Sequence, residues 1–149
     1  MKKTMPKENR KINERNSLEK IFKVTSDKDV VKIREYARDI ADGIGFSNNE
    51  RTLIATAVSE ICRNIIEYAV HGKITIKALY LNPKTGILIS AKDNGPGIPD
   101  INKALKDGYS SGRGMGVGLP GTKRIMDEFV IESKPGNGTK IVMHKWVGK

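Results

Sequence analysis

Ser59-Glu60-Ile61-Cys62-Arg63-Asn64-Ile65, then Asp93-Asn94-Gly95-Pro96-Gly97, then Gly112-Arg113-Gly114-Met115-Gly116-Val117-Gly118 follow one another along the chain. The first stretch lies in an apolar series, Ile54, Ala57, Val58, Ile61 and Ile65, whose steps of three and four mark one stripe of a helix. Glu60 and Asn64 are one turn apart on that helix and so share a face. The second stretch follows an apolar run at Ile87 to Lys92 that reads as a strand, which puts Asp93 at a strand end where the chain turns. In the third, alternate glycines forbid a stable element, because each costs about 0.5 to 1 kcal/mol in a helix or strand interior relative to alanine.

The rest of the chain organises around these stretches. Leu18 to Thr25 reads as a strand, and Ser26-Asp27-Lys28-Asp29 as a capping box opening a helix with Val30, Ile33, Ala37, Ile40 and Ala41 on one face, ended at Gly43 to Gly45. Ser47-Asn48-Asn49-Glu50 is a second capping box, and it opens the helix that carries Glu60 and Asn64 and stops near Gly72. Ile74 to Leu81 and Ile87 to Lys92 read as strands joined through Asn82, Pro83 and Gly86. A third helix is expected from Pro120 to about Asp127, since proline suits a first helical position. Phe129 to Lys134 and Thr139 to Val147 close the pattern as strands joined by Pro135-Gly136-Asn137-Gly138. The order predicts an α+β, two-layer α/β sandwich with a mixed sheet covered by helices on one face. Residues 17–149 form the expected domain, and residues 1–16 a basic, disordered leader.

At 149 residues the chain has enough length for one ordinary core. Its formal charge of +10 raises nucleic acid as a partner, but no helix carries a basic stripe interleaved with aromatics, and aromatics make up only 5% of the residues. That argues for no nucleic acid, and leaves an acidic protein or the nucleotide itself as the beneficiary of the positive field. No apolar run approaches the roughly 20 residues of a membrane span, so no membrane partner is expected. With no secretory signal and a lone cysteine, Cys62, the expected location is the cytoplasm. Cys62 itself reads as a buried spectator. His71 and His144 read as structural, and Met115, Met126 and Met143 as packing residues.

The three stretches together supply the parts of an ATP site. The Asn64 amide oxygen is a hard, neutral ligand suited to Mg²⁺ that keeps waters and takes its other ligands from phosphates. Glu60, one turn earlier, is placed to accept a proton from an attacking hydroxyl; the plain alternative is an ion pair with Arg63 or Arg51 on a solvated face. The Asp93 carboxylate can receive the exocyclic amine of adenine, and Gly95 and Gly97 let backbone approach a planar base. Gly112, Gly114, Gly116 and Gly118 read as a mobile lid whose amides, with Arg113 and Lys123, face phosphate oxygens at the start of the third helix. No Walker A sequence and no eukaryotic kinase motif set is present.

The ordered motifs resemble the N, G1 and G2 boxes of the GHKL ATPase superfamily, the Bergerat-fold group that includes Hsp90, gyrase B, MutL and histidine kinases. Within it the chain is similar to the small bacterial serine/threonine kinases that control sigma factors, the switch kinases of the stressosome. Ser59 to Ile65, Asp93 to Asp100, Asp107 to Ser111, Gly118 to Phe129 and the ending Lys145-Trp146 carry that likeness. The resemblance implies ATP and Mg²⁺ as cofactors, Glu60 as general base, Asn64 as the metal ligand, Asp93, Gly95 and Gly97 around adenine, and Thr139 supporting the adenine side. It implies a serine or threonine of STAS-domain proteins (RsbS/RsbR-like) as phosphoacceptor and a PP2C-type phosphatase (RsbU-like) as the partner activated on release. An anti-sigma factor, and a nucleotide-gated interaction protein without phosphotransfer, are the competing expectations.

Overall fold

The computed structural model describes residues 19–69, 71–98, 101–106 and 118–148. The leader at 1–16 and Gly112, Arg113, Gly114 and Gly116 lie outside the described residues. Five strands, β1 (Glu19–Val24), β2 (Gly72–Leu81), β3 (Lys84–Asp93), β4 (Glu128–Ser133) and β5 (Thr139–Trp146), are joined by helices α1 (Asp27–Ile44), α2 (Asn48–Ala69), α3 (Ile101–Ala104) and α4 (Gly118–Ile125).

Both expected capping boxes open helices. Before α1, Asp29 Oδ2 accepts hydrogen bonds from Thr25 N at 2.8 Å and Ser26 N at 3.1 Å. Before α2 the exchange is reciprocal, with Ser47 N donating to Glu50 Oε1 at 3.0 Å and Glu50 N to Ser47 Oγ at 3.2 Å. Such caps satisfy amides that a helix leaves without internal partners, and each stabilises by about 1 kcal/mol. Between them Gly45 closes α1 in the left-handed region at φ 112°, and Arg51 Nη1 clamps the connection by donating to Asp42 Oδ1 and Phe46 O, both at 3.0 Å.

The strand order is β1-β2-β3-β5-β4 and every neighbouring pair is antiparallel, so the expected mixed sheet is corrected to an antiparallel one. The reason is topological. Two helices in succession between β1 and β2 return the chain in the reverse sense. β3 and β4 do run parallel, being both antiparallel to β5, but β5 inserts between them, so no parallel ladder forms. Alternation along the strands gives one dry face. Ile74, Ala91 and Ile141 form one cross-strand row and Ile76, Ile89 and Met143 the next, all buried against Ile33, Ala37, Ile54, Val58, Ile61 and Ile65 of the helices. Each fully buried isoleucine stabilises by about 1.5 to 3 kcal/mol.

Two local differences from the sequence reading concern the glycine-dense region. The one-turn helix α3 was not expected there; Ala104 is buried and Leu105 packs against the core. α4 begins at Gly118 rather than Pro120, with Thr122 Oγ1 donating to Gly118 O at 2.8 Å. Cys62 is fully buried, and burial pushes its thiol up to about 12, which removes thiolate chemistry at neutral pH. Met126 and Met143 are core residues.

Candidate functional site

The end of the sheet where β3 leaves and β5 enters is a tightly bonded corner. Asp93, the last residue of β3, is buried, and its Oδ1 accepts hydrogen bonds from Gly95 N at 2.9 Å and Thr139 N at 3.2 Å. The carboxylate is thereby fixed on one oxygen, and Oδ2 is the oxygen left to receive a ligand's donor. Around it the backbone approaches too closely for any side chain. Gly138 has φ 79°, and a Cβ there would collide with Asp93 O. Gly97 has φ 83°, and a Cβ would lie 2.5 Å from Lys134 O. Gly95 sits against Ala69 at the end of α2, 2.8 Å from its Cβ by the same measure.

One residue of this corner was not singled out from the sequence. Ser133 Oγ accepts from Ile98 N at 2.6 Å, donates to Gly138 O at 3.1 Å and lies 3.0 Å from Thr139 Oγ1. It ties the loop after β3 to the β4–β5 turn, which Gly136 N reinforces by donating to Pro96 O at 2.8 Å. Its signal in the sequence was faint: a serine ending β4, directly opposite Thr139 in the register. Thr139 is itself buried beside Asp93.

Glu60 and Asn64 occupy successive turns of α2 and both are buried, at 8% and 9% exposure, although α2 as a whole has solvated faces. Burying a carboxylate and an amide on successive turns is costly unless they have partners. Glu60 Oε1 stands 3.6 Å from Arg63 Nη1, so the ion pair weighed as the plain alternative exists, but as a long contact. The carboxylate opens into a groove of ≈ 370 Å³ between α1 and α2, lined by Arg34, Arg38, Thr56, Ser59 and Arg63. Arg51 is not part of it, being committed to Asp42 and Phe46. The structure therefore brings Asp93, Gly95, Gly97 and Thr139 together at one corner and places Glu60 and Asn64 on α2. Gly118, at φ 64°, starts α4, and Lys123 is exposed in its last turn.

Among the described residues no cluster of three or more His, Cys, Asp or Glu is positioned to hold a metal ion. An amide oxygen such as that of Asn64 fits Mg²⁺ that is held chiefly through phosphates, and does not fit a metal caged by protein. His144 pairs with Glu128 at 3.5 Å and stacks on Trp146, and His71 is exposed beyond α2, so both read as outside the chemistry. None of the described helices is long and apolar enough to cross a membrane.

The profile of the histidine kinase-like ATPase domain matches residues 24–145. The serine/threonine-protein kinase RsbT of Bacillus subtilis (strain 168) is 44% identical over 125 residues, which cover 84% of this chain and 94% of that protein. An anti-sigma F factor of Caldanaerobacter subterraneus subsp. tengcongensis is 38% identical over 102 residues, 64% of this chain and 70% of that one. Among solved structures, a chain of the SiaB-SiaC complex from Pseudomonas aeruginosa superposes with a TM-score of 0.56 at 14% identity, over 97% of this chain and 100% of that chain. The RsbU and RsbW domains of a Mycobacterium tuberculosis protein give 0.56 at 19% identity, over 85% of this chain and 32% of that one. At these identities the two structures speak for the fold alone.

Proposed function

The chain belongs to the histidine kinase-like ATPase domain family, and on that premise we propose that it is an ATP-dependent serine/threonine kinase acting on a protein hydroxyl. The observation that carries the reading is Glu60: a carboxylate buried one turn from Asn64, on a residue that lines a groove of ≈ 370 Å³ between α1 and α2. The likeness to RsbT along nearly that protein's whole length supports the same reading.

In this reading Asp93 Oδ2 accepts the adenine amine, and Gly97 and Gly138 keep the corner flat enough for the base. Asn64 holds Mg²⁺, which neutralises phosphate charge when bound. Gly112, Gly114, Gly116 and Gly118, with Arg113, cover the phosphates, and Thr139 supports the adenine side. A serine or threonine hydroxyl enters the groove beside Glu60, which takes its proton as the oxygen attacks the γ-phosphorus. The bond from that phosphorus to the bridging β–γ oxygen breaks, ADP leaves, and the phosphoryl group remains on the side chain. Positioned proton transfer of this kind contributes about 10² to 10⁴ in rate.

The acceptor in this reading is a STAS-domain protein of the RsbS/RsbR kind. Its phosphorylation places about two negative charges in a packed interface and so releases the kinase. Once released, the kinase activates a PP2C-type phosphatase, RsbU-like, in bacterial stress or sigma-factor signalling in the cytoplasm. The similarity to anti-sigma F factors favours a second reading, sequestration of a sigma factor by the same fold. Transfer of γ-labelled phosphate from Mg·ATP to the STAS-domain proteins of the same organism, run with and without its sigma factors, separates the two. Label on a serine or threonine, undiminished by sigma factor, is the expected result. A stable sigma-factor complex with no label on any STAS protein assigns sequestration instead.

A further inference from the structure

The face of the sheet turned away from the helices carries an arrangement that the nucleotide chemistry does not use. Lys23, Lys73, Lys92 and Lys140 are direct register partners on β1, β2, β3 and β5, so four lysines stand side by side in one row across the sheet, ending at Glu132 on β4. All four are exposed, and no ion pair engages them among the described residues. Like charges directly opposite each other on neighbouring strands are destabilising, so folding gives no reason for the row. Cavities flank it on both sides of Lys92. One of ≈ 350 Å³ is lined by Lys23, Thr25, His71, Lys73 and Asn94, and one of ≈ 170 Å³ by Lys140, Lys134 and Asn137 and, where it reaches the corner, by Asp93, Gly138 and Thr139.

One same-face step along the strands lies a second row of different character. Ile21, Thr75, Ser90, Val142 and Val130 are register partners across all five strands, and Ile21 and Val130 are 57% and 56% exposed. A cationic row therefore runs beside an apolar and hydroxyl row, about 7 Å away.

We propose that this open face docks an acidic, amphipathic helix of a partner protein, with its carboxylates over Lys23, Lys73, Lys92 and Lys140 and its aliphatic side chains on Ile21, Val142 and Val130. The spacing selects a helix. Neighbouring strands are about 4.8 Å apart, so the row spans about 14 Å. Carboxylates on successive turns of a helix repeat every 5.4 Å or so, close to the lysine repeat, whereas same-face residues of an extended peptide repeat every 6.7 Å or so and fall out of step across the row. The charge selects a protein over the alternatives. Four cations in so short a row meet too few phosphates to hold nucleic acid at physiological salt, and a phosphate backbone leaves the apolar row wet. A second copy of a chain with charge +10 is repelled.

The probe is a fluorescein-labelled helical peptide of about 18 residues, with glutamates on successive turns and leucines on the adjoining stripe, titrated by anisotropy into the full chain. Saturable binding is expected, weakening as salt rises from about 0.05 to 0.15 M, with an affinity loss of at least about 10-fold in Lys73→Glu/Lys92→Glu and in Val142→Asp while ATP affinity is unchanged. The milder Lys73→Gln/Lys92→Gln is expected to weaken binding with no loss of thermal stability, because it relieves like-charge contact. Unchanged peptide affinity in the double variants overturns the proposal. So does tighter binding of a uridine 12-mer than of the peptide. A charge reversal that alters only self-association in sedimentation equilibrium assigns the face to a second copy and likewise overturns it.

Discussion

The corner around Asp93 and the face of α2 around Glu60, which serve one ligand in the proposed reading, are built to opposite standards. At the corner, Asp93, Ser133 and Thr139 interlock, and three glycines, Gly95, Gly97 and Gly138, stand where a Cβ has no room. On α2, Glu60 has one long ion pair to Arg63 and an opening to a groove. A rigid base is recognised by a surface that is finished before the ligand arrives, since preorganisation spares the ordering cost at binding. A proton acceptor that must meet a partner's hydroxyl needs access and a carboxylate whose interactions can be exchanged during the reaction. In the proposed reading, then, affinity resides in the corner and turnover on the helix.

Four changes break or sharpen that contrast. The largest effect is expected for Glu60→Gln, which keeps shape and removes the proton acceptor: transfer falls by about 10² to 10⁴, as single-turnover phosphate transfer will read. Asp93→Asn comes next. Asn Oδ1 still accepts from Gly95 and Thr139, but the amide NH₂ replaces the free acceptor, so ATP binding weakens by about 2 to 3 kcal/mol, roughly 30- to 150-fold, in calorimetric titration. Gly138→Ala drives a Cβ into Asp93 O at a left-handed φ and should lower unfolding free energy by about 2 to 4 kcal/mol in urea denaturation. The smallest effect, remote from both regions, is Asp29→Asn at the start of α1, about 1 kcal/mol of stability.

Asp29 also fixes a pH dependence. The backbone N–H of Thr25 is the main cause that holds its carboxyl below the usual value, with Ser26 N–H and the Thr25 hydroxyl adding to it. A folded-state value below the unfolded one gives stability that is complete above the unfolded carboxylate range, about pH 4, and is lost as pH falls through the folded value. The wild type is therefore expected to lose its advantage over Asp29→Asn in thermal melts as pH falls below the unfolded carboxylate range. An advantage that persists to the lowest pH removes Asp29 from the cap.

Much of this was legible in the sequence because it is written in local chemistry. Ser26 to Asp29 and Ser47 to Glu50 announced their helices, since capping is a contact between residues three apart. The alternation of Ile74, Ile76 and Ile87, Ile89 announced strands buried on one face. Long-range facts were not legible. The insertion of β5 between β3 and β4, which makes the sheet antiparallel, joins residues that no short window contains. Ser133 escaped for the same reason, as its role depends on Ile98, Gly138 and Thr139 arriving from two other segments. The row of lysines is invisible in the sequence, where Lys23, Lys73, Lys92 and Lys140 are scattered, and becomes a row only through the register. Among the site residues, Asp93, Gly95 and Gly97 of one motif meet Thr139, which only the family resemblance had pointed to, while Gly112, Arg113, Gly114 and Gly116 remain proposed from the sequence alone.

The most direct test of the division between a binding corner and a reacting helix is a crossed measurement on one pair of variants. ATP affinity and single-turnover transfer to a STAS-domain acceptor are measured for Glu60→Gln and Asp93→Asn on the same samples. The account predicts that Glu60→Gln keeps wild-type affinity and loses transfer at any ATP concentration, whereas Asp93→Asn loses affinity and recovers transfer when ATP is raised to saturation. Parallel loss of affinity and transfer in both variants would contradict it.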